Sequence, residues 1–470
     1  MANESPEREI ESEFAEQVGS YDIFGSLDTN VADGFTLVAV GDLIVTRALT
    51  KGNHAGFRNV AETLRGADVT FGNMETNIFD ARSFKGSPQA EHGGAYHVSL
   101  PELGPDLKAM GFNLVSYANN HTFEWGAEGM RETCRALDET GIVYAGVGEN
   151  LSQASAARFL ETPRGRVSLV SFASTFTPMS RACDPAGQAP GRPGLNALRL
   201  REEIIVPQPM IENLRQVRNA LPYYNPELDD QDCVTIAGAR FKMGNKVGYS
   251  YLPDPVDVAR ILRDVRQGKQ FSDFCIVTNH GHEPGNWSQQ TPDYEQGFAR
   301  NMIDAGADAY IVHGPHQLRG IEIYNGRPIF YSIGNFIMDD LRTPVGADMY
   351  AEYGRDPREH TDGEVTLSEM SRGYSTDLGF DDPIFYESVI AKSLYNENRL
   401  AEIHLFPIDL GHSKRFANRG VPSLADPVKA SLILERLQKL SEPFGTKIAI
   451  KDGVGIVRPA LPVPNHNDAR

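Results

Sequence analysis

Five apolar runs in this chain end in side chains that bind metals or move protons. "FTLVAVGD" ends in Asp42, "ADVTFGNMET" carries Asn73 and Glu75, and "GFNLVSYANNH" ends in Asn119, Asn120 and His121. "DFCIVTNHGHE" ends in His280, His282 and Glu283, and "ADAYIVHGPH" in His313 and His316. Two further runs, "GIVYAG" and "RVSLVSFAS", also read as strands. Between several of them lie helical patterns such as "NVAETLRG", "LPELGPDLKAMG", "GMRETCRALDETG" and "VDVARILRDVRQ". Strands alternating with helices predict an α/β protein with a mostly parallel sheet covered on both faces. In open α/β sheets, ligands bind beyond the carboxyl ends of the strands. Taken singly, Asp42 reads as a helix cap and Asn119 or Asn120 as a left-handed turn. The recurrence at five strand ends predicts one shared catalytic or metal site.

The residue types narrow its chemistry. Carboxylate, amide oxygen and imidazole, without thiolate, suit divalent Mn, Zn, Fe or Mg better than a structural zinc. The candidate ligands are Asp42, Glu75, Asn120, His280, His282, His313 and His316. Two-metal hydrolases need a carboxylate that bridges both ions, and Glu75 is the candidate. His121 is the candidate acid or base, with His280 and Glu75 beside it in the reaction. Asn119, Asn335 in "YSIGNF", and Arg192 and Arg199 in "GRPGLNALR" are the candidates for holding substrate, because arginine forks onto anionic groups.

Composition excludes other roles. Acidic residues outnumber basic ones, 63 to 45, for a formal net charge of -18. That argues against nucleic acid and anionic lipid as partners. The four cysteines, Cys134, Cys183, Cys233 and Cys275, form no CxxC pair and predict neither a zinc-cysteine site nor a disulfide framework. The Glu-rich start has no apolar segment, and no stretch approaches the roughly 20 apolar residues that span a bilayer. A cytoplasmic location without membrane insertion is expected.

Residues 1–33 read as an acidic, disordered tail and 34–340 as the core, with a loop-rich insertion at 176–225. Residues 341–385 read as a second insertion, placed to serve as a lid, and 386–470 as strands and a helix that complete the fold. Asn325-Gly326 predicts a hairpin turn, and "DPVKASLILERLQKLSEPFG" a helix ending at Pro443 and Gly445.

The blocks "VAVGDLIVTRAL", "ADVTFGNMET", "GFNLVSYANNH", "HGHEPGN" and "GADAYIVHGPHQLRGIEIYNGRPIFYSIGNF" occur in that order. Over residues 35–340 they resemble the CapA family of capsule or poly-gamma-glutamate biosynthesis proteins. That resemblance implies a calcineurin-like metallophosphoesterase fold, a four-layer α/β/β/α sandwich with two mixed sheets. It also implies Asp42 as the first acidic position, Glu75 as the bridging carboxylate, and Asn120-His121 as the third motif. One departure is visible: "GDLIV" lacks the histidine of the usual Asp-x-His, which weakens one metal position.

Three functions fit these residues. The first is a hydrolase using one or two divalent ions on a phosphoester or amide bond, including a gamma-glutamyl bond in a small molecule, peptide or anionic polymer. The second is a metal-independent acid–base enzyme, such as a peptide epimerase or an amide-bond-forming enzyme. The third is a non-catalytic part in anionic polymer synthesis or export. The oligomeric state is not legible in the sequence.

Overall fold

A computed structural model describes residues 30–89, 96–222, 230–286, 288–339, 345–371, 382–396, 398–415 and 418–459. The main elements run β1 (Phe35–Val45), α1 (Phe57–Leu64), β2 (Val69–Met74), α2 (Leu103–Met110), β3 (Leu114–Ser116), α3 (Gly126–Thr140), β4 (Val143–Ala145), β5 (Arg158–Thr162) and β6 (Gly165–Ala173). Then follow α4 (Pro255–Gln270), β7 (Phe274–His280), α5 (Glu295–Asp304), β8 (Ala309–His313), β9 (Ile321–Tyr324), β10 (Arg327–Phe330) and β11 (Asn335–Asp339). The chain closes with β12 (Glu387–Asn396), β13 (Arg399–Asp409), α6 (Pro427–Ser441), β14 (Ile448–Lys451) and β15 (Val454–Val457).

The strands form two mixed sheets rather than the single, mostly parallel one that the alternation alone predicts. The larger runs β14-β15-β13-β12-β1-β2-β3-β4, with β11 also on β1. The smaller runs β9-β10-β8-β7-β6-β5. Strand parity explains the layering. On β1, Leu37 and Ala39 face Val167 and Leu169 of β6, Ile276 of β7 and Ile311 of β8. Val38 and Val40 face the other way, into a core with Val60 of α1, Leu107 of α2 and Leu137 of α3. Val277 of β7 and Val312 of β8 face Ile261 and Val265 of α4 and Phe298 and Met302 of α5. The order is helices, sheet, sheet, helices, the four-layer sandwich that the resemblance implies. Every central strand is buried on both faces in either arrangement, so hydrophobic content alone does not separate one sheet from two.

The hairpins and the last helix are where their turn and cap residues predict. Asn325 and Gly326 take φ of 49° and 73°, as a two-residue hairpin requires. Asp426 caps α6 by accepting from Val428 N and Lys429 N. A short 3-10 turn then carries Pro443 to Gly445 at φ 74°. All four cysteines are free.

Two regions differ from expectation or extend it. Beyond Leu200 the expected loop gives way to a four-stranded sheet, Cys233–Ile236, Ala239–Met243, Leu200–Val206 and Gly248–Pro253 in that order. The helix Gln208–Ala220 packs Ile211 onto Val206 and Val234. Two strands of this sheet, Leu200–Val206 and Ala239–Met243, are largely half-exposed and carry charged residues, so they lack the apolar signature that marks the central ones. Helices Ala347–Glu352 and Asp362–Ser371 share a small core of Met349, Tyr350 and Val365. Asp348 accepts a hydrogen bond from Tyr96 OH at 3.3 Å. The acidic tail up to residue 29 lies outside the described residues. Among the described residues, no helix is long and apolar enough to cross a membrane.

Strand β1 is held so closely that Gly41 has no room for a side chain: a Cβ there would overlap the carbonyl oxygen of Gly334, just before β11. Gly41 lies within β1, and the Gly334 carbonyl is held by Asp42 N at 3.1 Å, so neither yields easily. Gly41→Ala is expected to destabilise the protein by about 1–3 kcal/mol, as overpacking does. Gly297→Ala, in α5, meets nothing within 4 Å. It is expected to be neutral or stabilising by up to ~1 kcal/mol. Thermal unfolding followed by circular dichroism compares the two.

Candidate metal and acid–base site

Register brings the polar strand ends together. Asp42 pairs with Asn73 on β2 and with Asn335 on β11. His280 pairs with His313 across β7 and β8. Asp42, Asn73, Glu75, Asn119 and Asn335 have no exposure, and His280 and His313 have 1%. Asn120, His121 and His282 are partly exposed, so the cluster opens on their side.

Buried carboxylates need donors. Asp42 accepts from Asn73 Nδ2 at 2.8 Å and Gly314 N at 3.2 Å, with His316 Nδ1 at 3.4 Å. Burial alone would push its carboxyl up. The His316 hydrogen bond and the fields of His316, His313 and His280 overcome burial and hold it below the usual carboxylate range. Glu75 goes the other way: burial first, then the charge of Asp42, push it well above the usual value.

Glu75 Oε1 is buried and has no hydrogen-bond partner. Around it stand His121 Nε2 and His280 Nε2, each at 3.6 Å, and His316 Nε2 at 4.0 Å. These are ion-pair distances beyond a hydrogen bond. Two ligands of one ion at about 2.1 Å stand roughly 3–3.5 Å apart, so small adjustments would let them share a cation. Among the described residues two triads have ligand atoms within 4.8 Å of one another: Glu75, His282 and His316, and Asp42, Glu75 and His280. Both use Glu75. The donor set therefore fits a divalent ion, with the orphaned Glu75 oxygen among the candidate ligand atoms.

The surrounding groups aim these ligands. Asn335 Nδ2 donates to Phe385 O at 3.0 Å and His316 O at 3.3 Å, so its Oδ1 is the acceptor facing His316 Nδ1 at 2.9 Å. This puts the proton of a neutral His316 on Nδ1 and turns the lone pair of Nε2 toward Glu75. His121 N donates to Asn119 Oδ1, while Asn119 Nδ2 reaches Asn73 Oδ1 and Met74 O. Asn120 Oδ1 lies 2.8 Å from His280 Nε2. Burial, then His316, pushes the His121 imidazole down to about 3, so it is neutral at neutral pH. Burial also holds His280 and His282 well below the ordinary histidine value.

Three of the expected site residues lie elsewhere. His313 turns back between the sheets, Nε2 on Val40 O at 3.0 Å and Nδ1 on Thr278 Oγ1 at 3.2 Å, so both ring nitrogens are engaged. Arg192 donates to the carbonyls of Arg181 and Pro178. Arg199 forks onto Asp254 and Asp257. Trp125 packs with Phe79, Phe84 and Tyr96. Two residues join the site unforeseen. Glu124 Oε1 lies 2.8 Å from His121 Nδ1, and its spacing in "NNHTFE" is the signal that could have found it. His97 packs its ring 4.3 Å from that of His121. Asn77 Nδ2 reaches both carbonyls, His121 O at 3.0 Å and His97 O at 3.4 Å. No local pattern announces His97.

Elemental analysis of protein purified without chelator, and reloaded with Mn or Zn, tests the ligand set. Glu75→Gln is expected to lose most of the bound metal at unchanged fold. Arg199→Gln, remote from the cluster, should retain it.

The family described as "Bacterial capsule synthesis protein PGA_cap" matches residues 36–340. An uncharacterized protein of Sinorhizobium fredii, y4uA, is 64% identical over 448 residues, covering 94% of this chain and 97% of its own length. Capsule biosynthesis protein CapA of Bacillus anthracis is 23% identical over 325 residues, 68% of this chain and 63% of that one. PGA biosynthesis protein CapA of Bacillus subtilis is 25% identical over 320 residues, 67% of this chain and 66% of that one. The chain belongs to the PGA_cap family of bacterial capsule synthesis proteins.

Proposed function

We propose that the protein is a metal-dependent hydrolase of a phosphoester or amide bond, working with a divalent ion held by Glu75, His282 and His316. The observation that carries this reading is Glu75 Oε1, a buried oxygen without a partner, ringed by imidazole nitrogens. When bound, the ion supplies Lewis acidity to the scissile group and acidifies water.

The chain's own residues supply the proton chemistry. Glu124 fixes Nδ1–H of His121, which leaves Nε2 as the working atom. Burial keeps that imidazole neutral, so it begins as a base. It takes the proton of the attacking water at Nε2 and returns it to the leaving oxygen or nitrogen. Glu124 stabilises the imidazolium in between. Asn119 holds His121 from the backbone side. The names of the Bacillus relatives support an amide of an anionic polymer, such as a gamma-glutamyl bond, as the substrate class. The helical pair at 347–371 meets Tyr96, the neighbour of His97, which supports reading it as a wall or lid beside the opening.

The His121–Glu124 pair also supports a second reading, in which protons move without an ion. Turnover that survives thorough chelation would select it.

The test uses Mn- or Zn-loaded protein with bis(p-nitrophenyl) phosphate and with gamma-glutamyl-p-nitroanilide. One of the two should be hydrolysed. His121→Ala is expected to lower kcat by about 10²–10⁴-fold while metal content stays the same. Folded, metal-loaded protein that turns over neither substrate would sink the hydrolase reading.

A further inference from the structure

We infer that the side-chain amide of Asn73 occupies the seat a second ion would take, and so holds this centre to a single divalent ion. The inference rests on the metal-dependent reading above and says how many ions that reading needs.

The two triads are not equivalent. Both contain Glu75, and Asp42, Glu75 and His280 are all buried to within 1% of complete. Yet an amide group stands among the three side chains of that triad. Asn73 Nδ2 lies 2.8 Å from Asp42 Oδ1, 3.1 Å from His280 Nδ1 and 3.5 Å from Glu75 Oε2. The NH2 group is the positive end of the amide dipole, and it is aimed at the three groups that would ligate a cation. It satisfies part of their demand for positive charge without an ion. A cation and an NH2 group exclude one another from the same place.

The orientation of that amide is fixed by a chain of donors and acceptors. Asn73 Oδ1 accepts from Asn119 Nδ2 at 3.2 Å, and Asn119 Nδ2 also donates to Met74 O at 2.8 Å. Asn119 Oδ1 accepts from His121 N at 3.1 Å, and Asn119 N donates to Thr122 Oγ1 at 3.0 Å. Asn119 is therefore not free to flip, because its oxygen faces the His121 N–H and its nitrogen an acceptor carbonyl. Turning Asn73 over would set its oxygen against the Asp42 carboxylate and its NH2 against that of Asn119. Nor does the backbone give it another position: Asn73 is locked in β2 between Asp42 and Ser116. The triad of Glu75, His282 and His316 is different, since the Glu75 oxygen facing the imidazoles has no donor. One seat is taken by the protein and one is left for an ion.

The experiment is metal stoichiometry on the full chain, purified without chelator, loaded with Mn and read by elemental analysis and electron paramagnetic resonance. Wild type is expected to hold one equivalent with the signal of an isolated ion. Asn73→Asp replaces the NH2 group, 2.8 Å from Asp42 Oδ1, by a carboxylate oxygen that the charge of Asp42 turns out of the seat and that can itself ligate an ion. It is expected to hold two equivalents, with the spin-coupled signal of a neighbouring pair. Without metal that variant buries three carboxylates together. Its unfolding midpoint should fall below wild type and recover when Mn is added. Asn73→Ala, which removes the amide without adding charge, covers the case in which the aspartate variant does not fold. It should take up a second ion at higher Mn concentration than the first. Two equivalents in wild type would overturn the inference and leave the metal-dependent reading standing. One equivalent in both folded variants would overturn it as well. No metal in wild type would remove both readings.

Discussion

Two carboxylates, Asp42 and Glu75, are buried without exposure at the point where two sheets share one end. Burying one such charge is expensive, and two side by side are tolerable only with donors or counter-charge close by. Much of the local architecture answers that demand. Gly314 N, Asn73 Nδ2 and His316 Nδ1 converge on Asp42. The Asp42 and Glu75 carboxyls respond oppositely: burial and then the charge of Asp42 push Glu75 high, while His316, His313 and His280 outweigh burial at Asp42 and hold it low. The outward oxygen of Glu75 is the part left unanswered.

The four-layer sandwich makes this possible. Long β1 carries Asp42 between β2 and β11, while β7 and β8 bring their histidines from the facing sheet. Glu75, His282 and His316 follow one, two and three residues after β2, β7 and β8, so each is carried by a short segment anchored to a paired strand. The close approach of Gly41 to Gly334 shows how little slack remains beside the site. Opposite the buried carboxylates, Asn120, His121 and His282 form the side that a reacting group can reach. The pairing of His121 with Glu124, and its neutrality, fit the proposed base at the edge of a site whose interior holds charge.

The sequence was most legible where local physics acts alone. Apolar runs give the central strands, Asn325-Gly326 the hairpin, and Asp426 with Pro443 and Gly445 the bounds of the last helix. The strand-end rule gathers Asp42, Glu75, His280, His282 and His316 without any structure, and they do meet. It fails where the partner is distant. Asn73 and His280 stand 207 positions apart, and nothing near either one foretells their contact. His313 shares the strand-end signature of His280, but its ring is drawn back to Val40 O across the two sheets. Arg192 and Arg199 look like anion binders until a carbonyl pair and two aspartates claim them. Two packed sheets read like one because both bury their strands on two faces.

The central claim is that a single cation belongs between Glu75, His282 and His316, with the Asn73 amide standing beside it. Anomalous diffraction from crystals grown with Mn or Zn, recorded on both sides of the metal's absorption edge, tests it most directly. The account predicts one anomalous peak, bonded to Glu75 Oε1 and to His282 and His316, and Asn73 Nδ2 still on Asp42. A peak in the Asp42–His280 seat with the amide displaced, or no peak at the cluster from fully loaded crystals, would contradict it.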